Sequence, residues 1–203
     1  MKIKLHNDDL PNNIKFTKSI AIDTEAMGLN HHRDRLCLVQ LSDGNKICHL
    51  VKINNNLKQP KNLIKILKNK NILKIFHYAR FDIAILKHTF GISIDNIYCT
   101  KIASKLARTF TDKHGYKDLC KELLNKEISK FEQTSDWGSK TLSLDQQKYA
   151  ATDVLYLHQI KDKLDKILER ENRIKLAKAC FDFIKIRTDL DLNGWIEQDI
   201  FKH

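Results

Sequence analysis

The chain has 203 residues, of which 42% are hydrophobic and 30% charged, a balance that excludes a disordered chain and suits one globular domain. Unbroken apolar runs such as Val154 to Leu157 are far shorter than the roughly 20 residues of a membrane-spanning helix, so no membrane partner is expected. Lys and Arg total 36 against 25 Asp and Glu, a formal charge of +11; this favours a polyanionic partner such as nucleic acid, although a lysine-rich background composition produces the same surplus.

The N-terminus, MKIKLHNDDLPNNIK, has no apolar stretch behind its lysines. No secretory leader is therefore expected, and the chain is assigned to the cytoplasm. Residues 19–25 (SIAIDTE) read as a buried strand ending in charge, and residues 36–41 (LCLVQL) as a second strand. Asp43-Gly44 signals a two-residue hairpin into a third strand near Ile47–Leu50. Residues 61–69 are helical in pattern, residues 72–77 suit another strand, and a helix from Arg80 to Thr89 is closed by Gly91. A short strand near Ile97 precedes a helix from Thr100, and residues 116–124 are helical. Ser143 with Gln146 forms a capping box that opens one long helix from Leu144 to about Arg170. A further helix covers Ile174 to Ile186. The five cysteines contain no CxxC pair, which reads as reduced, buried thiols and argues against zinc. With no repeat and no Pro/Gly/Ser linker, residues 1–203 read as a single domain: a mixed α/β sheet with a helical C-terminal half.

Three carboxylate placements interrupt apolar patterns. Asp23 and Glu25 stand at i and i+2 of a strand, on one face and about 6.6 Å apart. Such a pair is either hydrated where the strand emerges or held by a hard divalent cation. Asp82 falls in the first turn of a predicted helix, where it answers the helix dipole or faces a site at the sheet edge. Tyr149 and Asp153 stand at i and i+4 on a helix, with Ala150 and Ala151 beside them. An Asp among Ala, Val, Leu and Tyr is either partly exposed or is hydrogen-bonded, paired or metal-bound.

Taken in order, Asp-x-Glu on a first strand, Asp after a later strand and Tyr-x3-Asp on a late helix resemble the DEDD superfamily of 3′–5′ exonucleases, in its tyrosine branch. The chain is most similar to the ribonuclease D family. Gln40 at the end of LCLVQL, His77 ahead of Asp82, and the stretch FEQTSDWGSKTLSLDQQKYAATDVLYL carry that resemblance, which covers residues 18–187. It implies a ribonuclease H-like fold, a mixed five-stranded sheet flanked by helices. Many family members continue into C-terminal domains of the helicase-and-ribonuclease-D type; none is expected here, which leaves substrate choice open.

The resemblance also implies a mechanism. Asp23, Glu25, Asp82 and Asp153 hold two divalent ions, Mg2+ or Mn2+. Asp23 bridges both, Glu25 and Asp153 complete the first, and Asp82 supports the second. Tyr149 lies near the attacking water; with an ordinary pKa of about 10 it is a poor base and orients the water by hydrogen bonding. Met27, Gly28 and Leu29 follow the acidic pair and either wedge against the terminal nucleotide or form an ordinary loop. His77 contacts substrate or shapes the site. His31, His32, Arg33 and Arg35 read as a solvated loop, Lys58, Lys61, Lys65 and Lys68 as a solvated helix face, and Trp137 and Trp195 as packing residues. The expected activity is exoribonucleolytic, from single-stranded RNA 3′ ends to nucleoside 5′-monophosphates, in RNA processing or turnover. Single-stranded DNA is the second substrate class, and an inactive nucleic-acid-binding module the weakest alternative. Oligomeric state is not readable from these residues.

Overall fold

The structure, a computed structural model, describes residues 1–54, 59–128 and 135–202. Six strands form one mixed sheet among them: β1 (Lys2–Asn7), β2 (Ser19–Ala26), β3 (Leu36–Ser42), β4 (Ile47–Lys52), β5 (Leu73–Phe76) and β6 (Ile97–Cys99). Their spatial order is β1-β4-β3-β2-β5-β6. β2, β3 and β4 form the antiparallel centre, while β1 joins β4, and β5 and β6 extend β2, in parallel. Every residue of β3 is buried, as a central strand covered on both faces requires. The sheet therefore has one strand more than the expected five. KIKLHN carries a short period-2 alternation that the sequence reading above leaves out; it is charged and lies largely exposed at an edge, where charge commonly protects a strand.

Among the described residues seven helices surround the sheet: α1 (Lys61–Lys68), α2 (Ala79–Phe90), α3 (Thr100–Ala107), α4 (Tyr116–Leu124), α5 (Leu144–Leu155), α6 (Leu157–Arg170) and α7 (Ile174–Leu192). None among the described residues is long and apolar enough to cross a membrane. α2 ends as expected, with Gly91 left-handed at φ 65° and its N–H bonded to the Lys87 carbonyl. α5 opens on the expected capping box: Ser143 Oγ accepts from Gln146 N at 3.0 Å, and Gln146 Oε1 accepts from Ser143 N at 2.8 Å. The β3–β4 connection departs from expectation. It spans residues 43–46, with Gly44 at φ 85° and Lys46 at φ 67°, and Ser42 Oγ donates to the Ile47 carbonyl at 2.8 Å across its base.

The expected single helix from Leu144 to Arg170 is two helices. The break has a specific cause. The Tyr116 hydroxyl donates to the Thr152 carbonyl at 2.6 Å and accepts from the Tyr156 N–H at 3.2 Å. Those two backbone groups are an i, i−4 pair that would otherwise bond each other, so a side chain from α4 has inserted into the ladder. α7 is longer than expected and reaches Leu192. Near its end, Asp191 receives a two-pronged contact from Arg80 in α2 (2.6 and 2.7 Å) and a third from Arg187 at 2.9 Å. Arg80 and Arg187 also hold the carbonyls of Trp195 and Ile196. This clamps the first turn of α2 and the C-terminal segment together. Trp195 itself is 43% exposed, so it is not the packing residue expected. Four of the five cysteines are buried, and all are free thiols.

β1 is tied down by histidine. His49 of β4 is buried against Phe16, and its Nδ1 lies 3.0 Å from Nε2 of His6 in β1. Burial, with His6 and Lys4 beside it and Asp43 opposing, holds the His49 imidazole at about 4 against an ordinary 6.5. The unfolded chain protonates that ring first as pH falls. The stabilisation from neutral His49 is therefore complete above about pH 6.5 and is lost as pH falls toward 4. The urea midpoint should decline across that window, and decline less in His49→Gln. Equal declines in the two proteins would remove His49 as the cause.

Candidate active site

The site forms where β2 runs out of its apolar sequence. Asp23 pairs with Gln40 and Glu25 with Leu38; the register then slips, so that Ala26 pairs with Leu36. Such a bulge bends a strand end and re-aims its side chains. Asp23 and Glu25 share a face of β2, and α5 packs across β2, β3 and β4 with Asp153. Asp23, Glu25 and Asp153 each offer an oxygen, and these oxygens all lie within 4.8 Å of one another. Gln40, fully buried, donates to Asp23 Oδ2 at 3.1 Å. Asp82, buried in the first turn of α2, accepts a 2.8 Å hydrogen bond from Thr24 Oγ1 and is near enough to Asp23 for their charges to repel.

Burial pushes all four carboxyls upward. Asp23 rises to about 7. Glu25 rises to about 10, through burial and then the charges of Asp23, Asp153 and Asp82. Asp82 and Asp153 shift in the same direction through burial and then the charge of Asp23. Like charges held this close are unfavourable without a cation. The donors are all carboxylate oxygens, the set that hard divalent ions take, whereas zinc more often recruits His or Cys. The residues therefore fit one or more such ions.

Tyr149 stands on α5 one turn before Asp153, its ring centroid 6.1 Å from that of buried Trp137. Burial, then the charges of Asp153, Glu25 and Asp23, raise the phenol's pKa, so it stays protonated and can donate a hydrogen bond at neutral pH. Met27 and Leu29 are exposed on the loop after β2, Leu29 by 80%. Gly28 between them is required by space: a Cβ there would lie 2.2 Å from Asp34 Oδ2. His77 is held inward. Its Nδ1 is 2.9 Å from Thr100 Oγ1, its ring is 5.8 Å from that of Tyr116, and burial with Lys101 nearby drives its pKa to about 3.

The remaining basic residues behave differently from expectation in part. His31 is buried against Phe81, His32 lies 3.1 Å from the Leu192 carbonyl, and Arg35 donates to the carbonyls of Leu36, Ile53 and Gly138. This loop is knitted to its surroundings, although Arg33 and His32 keep their side chains exposed. Lys61, Lys65 and Lys68 are exposed on α1, as expected, while Lys58 lies outside the described residues, as do residues 131–134 of the long stretch quoted above. Three groups at the site went unread in the sequence. Thr24 anchors Asp82, and its place between two acids was an available signal. Tyr116 and Asp34 carry no local signal, because their roles arise from contacts across the fold.

A mixed sheet with carboxylates converging at the end of its first antiparallel strand pair is the frame of a ribonuclease H-like exonuclease. The chain belongs to the 3′–5′ exonuclease family, whose pattern it matches over residues 5–169. It is 34% identical over 158 residues to the ribonuclease D of Granulibacter bethesdensis, a match covering 76% of this chain and 39% of that protein; the chain spans about two fifths of the length of such relatives. It is also similar over its whole length to Brucella melitensis NrnC. The structure of that protein with bound Mg2+ shares 51% identity, covers 100% of both chains and superposes with a TM-score of 0.95. The structure of NrnC bound to pGG shares 52% identity over 100% of this chain and 99% of that one, with a TM-score of 0.96.

The carboxylate cluster makes a stability prediction. Glu25→Gln puts a neutral group where folding in chelator must otherwise protonate a carboxyl, because burial and the neighbouring acids hold Glu25 at about 10. In chelator its Tm should exceed that of the unaltered chain by a few degrees, at about 2–4 °C per kcal/mol for a chain of this size. Its further rise on adding magnesium should be smaller. Scanning calorimetry with and without the metal checks both; a lower Tm in chelator would show that the cluster is not under repulsion.

Proposed function

We propose that this chain is a metal-dependent 3′–5′ exoribonuclease, acting in the cytoplasm on single-stranded RNA ends in RNA processing or turnover and releasing nucleoside 5′-monophosphates. The observation that carries the reading is the convergence of Asp23, Glu25 and Asp153 within 4.8 Å, with Asp82 and Tyr149 at its margins. The ribonuclease D relatives and the pGG held by NrnC support RNA over DNA.

Two divalent ions, Mg2+ or Mn2+, when bound, supply charge relief at phosphorus and make water acidic enough to attack at neutral pH. Asp23, Glu25 and Asp153 are the residues to hold the first ion. Asp23 and Asp82 are those to hold the second, with Thr24 fixing the Asp82 carboxylate. Gln40 fixes Asp23 in turn. The Tyr149 phenol, protonated beside Asp153, orients the attacking water by hydrogen bonding and is not its base. Met27, Gly28 and Leu29 supply an exposed apolar ledge next to the acids, against which a terminal base or sugar packs. Gly28 keeps that ledge tight over Asp34. His77, neutral and bonded to Thr100, shapes the floor on the substrate side.

Incubation with 5′-labelled single-stranded RNA and a matching DNA, in magnesium, manganese or chelator, tests the reading. A ladder descending from the 3′ end is expected with metal, faster on RNA, and absent in Asp23→Ala. A faster DNA ladder would reassign the substrate. No shortening under any metal would leave a binding module. Tyr149→Phe should lose about 10²-fold or more in kcat, the range of positioned proton-handling groups, while calorimetry shows metal binding intact. Full activity in that variant would remove Tyr149 from the mechanism.

A further inference from the structure

We propose that Tyr116 is a positioning residue for the metal site: by inserting its hydroxyl between Thr152 and Tyr156 it opens the helix at Asp153 and sets where that carboxylate stands. The inference rests on the reading of Asp153 as a metal ligand and adds a residue from outside the acidic set.

The geometry is specific. Thr152 C=O and Tyr156 N–H bracket Asp153 in the chain. In an unbroken helix they would bond each other directly. Here the Tyr116 hydroxyl stands between them, donating to the carbonyl at 2.6 Å and accepting from the N–H at 3.2 Å. The carbonyl and N–H are thus satisfied while the turn is held open. Tyr156, at φ −108°, ψ 0°, stays in the right-handed region but departs from ideal helix angles and belongs to neither helix; α5 ends at Leu155 and α6 restarts at Leu157. The break sits immediately after the stretch that carries Tyr149 and Asp153, so its angle decides how α6 leaves and how the last turn of α5 lies over β2. Tyr116 is itself fixed. It begins α4, and its ring packs beside His77, whose Nδ1 bonds Thr100 at the start of α3. The Asp153 turn is therefore referenced to α3, α4 and the end of β5, and not to its own helix alone. Such outer contacts commonly decide how well a ligand carboxylate meets its ion.

Without the hydroxyl, Thr152 C=O and Tyr156 N–H are left facing each other and close into an ordinary helical bond. That closure alters the turn bracketing Asp153, and with it the place of its carboxylate relative to Asp23 and Glu25. Tyr98→Phe is the matched comparison. Its hydroxyl is also buried and bonds a helix residue, Asp165 of α6 at 2.8 Å, remote from the acidic cluster.

Isothermal calorimetry with manganese should show Tyr116→Phe binding about tenfold more weakly or worse, with Tyr98→Phe unchanged although both lose a buried hydrogen bond. In the nuclease assay, the activating metal concentration should rise for Tyr116→Phe while KM for RNA at saturating metal stays constant. Coupling is reciprocal, so in the unaltered chain manganese-free magnesium should slow hydrogen exchange at the Tyr156 amide. That measurement needs no variant to fold. Equal metal affinity in Tyr116→Phe and the unaltered chain, equal losses in both tyrosine variants, or a Tyr156 amide indifferent to bound magnesium would each overturn the inference. If the unaltered chain binds no divalent ion at all, the reading of the acidic cluster itself fails, and the positioning role fails with it.

Discussion

Three carboxylate oxygens within 4.8 Å of one another, on half-buried side chains, repel strongly once ionised, and much of the surrounding structure serves to hold them there. Left to itself, a chain would turn such groups outward into solvent. This one prevents it with separate restraints on each acid. β2 is locked between β3 and β5, so Asp23 and Glu25 cannot retreat along the strand. Gln40, opposite Asp23 in register, gives that carboxylate a donor. Thr24 donates to Asp82. Asp153 is bound to a helix capped at Ser143 and interrupted by Tyr116. A cation then gains from an arrangement whose unfavourable free energy folding has already met, which is how preorganised sites attain affinity.

The clamp between α2 and α7 belongs to the same scheme. α2 starts from Tyr78 in the left-handed region at φ 68°, without a side-chain cap, a conformation that a bulky residue adopts only when its surroundings impose it. Asp82 points from that turn toward Thr24, and Arg80 from the same turn grips Asp191. The first turn of α2 is thus held by the Thr24 hydroxyl and by an ion pair to the buried Asp191. The segment beyond the family-matched residues 5–169 contributes Asp191 to this clamp, so the C-terminal helix is part of the frame of the site and not an appendage to it.

The loop after β2, proposed above to meet the substrate, is built to a different rule. Met27 and Leu29 stay exposed, which a folding argument alone does not favour, while Gly28 is drawn down onto Asp34. The loop 135–140 beside it is pinned by Arg35 and by Lys52, whose Nζ reaches the carbonyls of Ser139 and Lys140. An apolar ledge carried by a loop with a rigid base suits recognition of a flat, apolar-faced group such as a nucleobase. The formal charge of +11 adds long-range attraction for a polyanion, and salt weakens that part alone.

Much of this was legible in the amino-acid order. Local signals act through neighbours in the chain: the alternation that puts Asp23 and Glu25 on one face, the i, i+4 spacing of Tyr149 and Asp153, the Ser143–Gln146 capping box, and Gly91 as a helix stop. Each appears in the structure as read. The readings that changed were those decided by partners distant in sequence. β1 is a strand because β4 offers an edge, although its residues stay largely exposed. Of the residues legible only as a charged loop, His32 and Arg35 are bonded to residues as far away as Leu192 and Gly138, and His31 packs against Phe81. The 144–170 helix is continuous by every local criterion, and only a tyrosine from α4 divides it. The sequence by itself determined which groups are chemically able to meet a metal and a phosphate. Tertiary structure decided where Asp153 and Asp82 stand, because those positions depend on hydrogen bonds between elements dozens of residues apart, which no local pattern encodes.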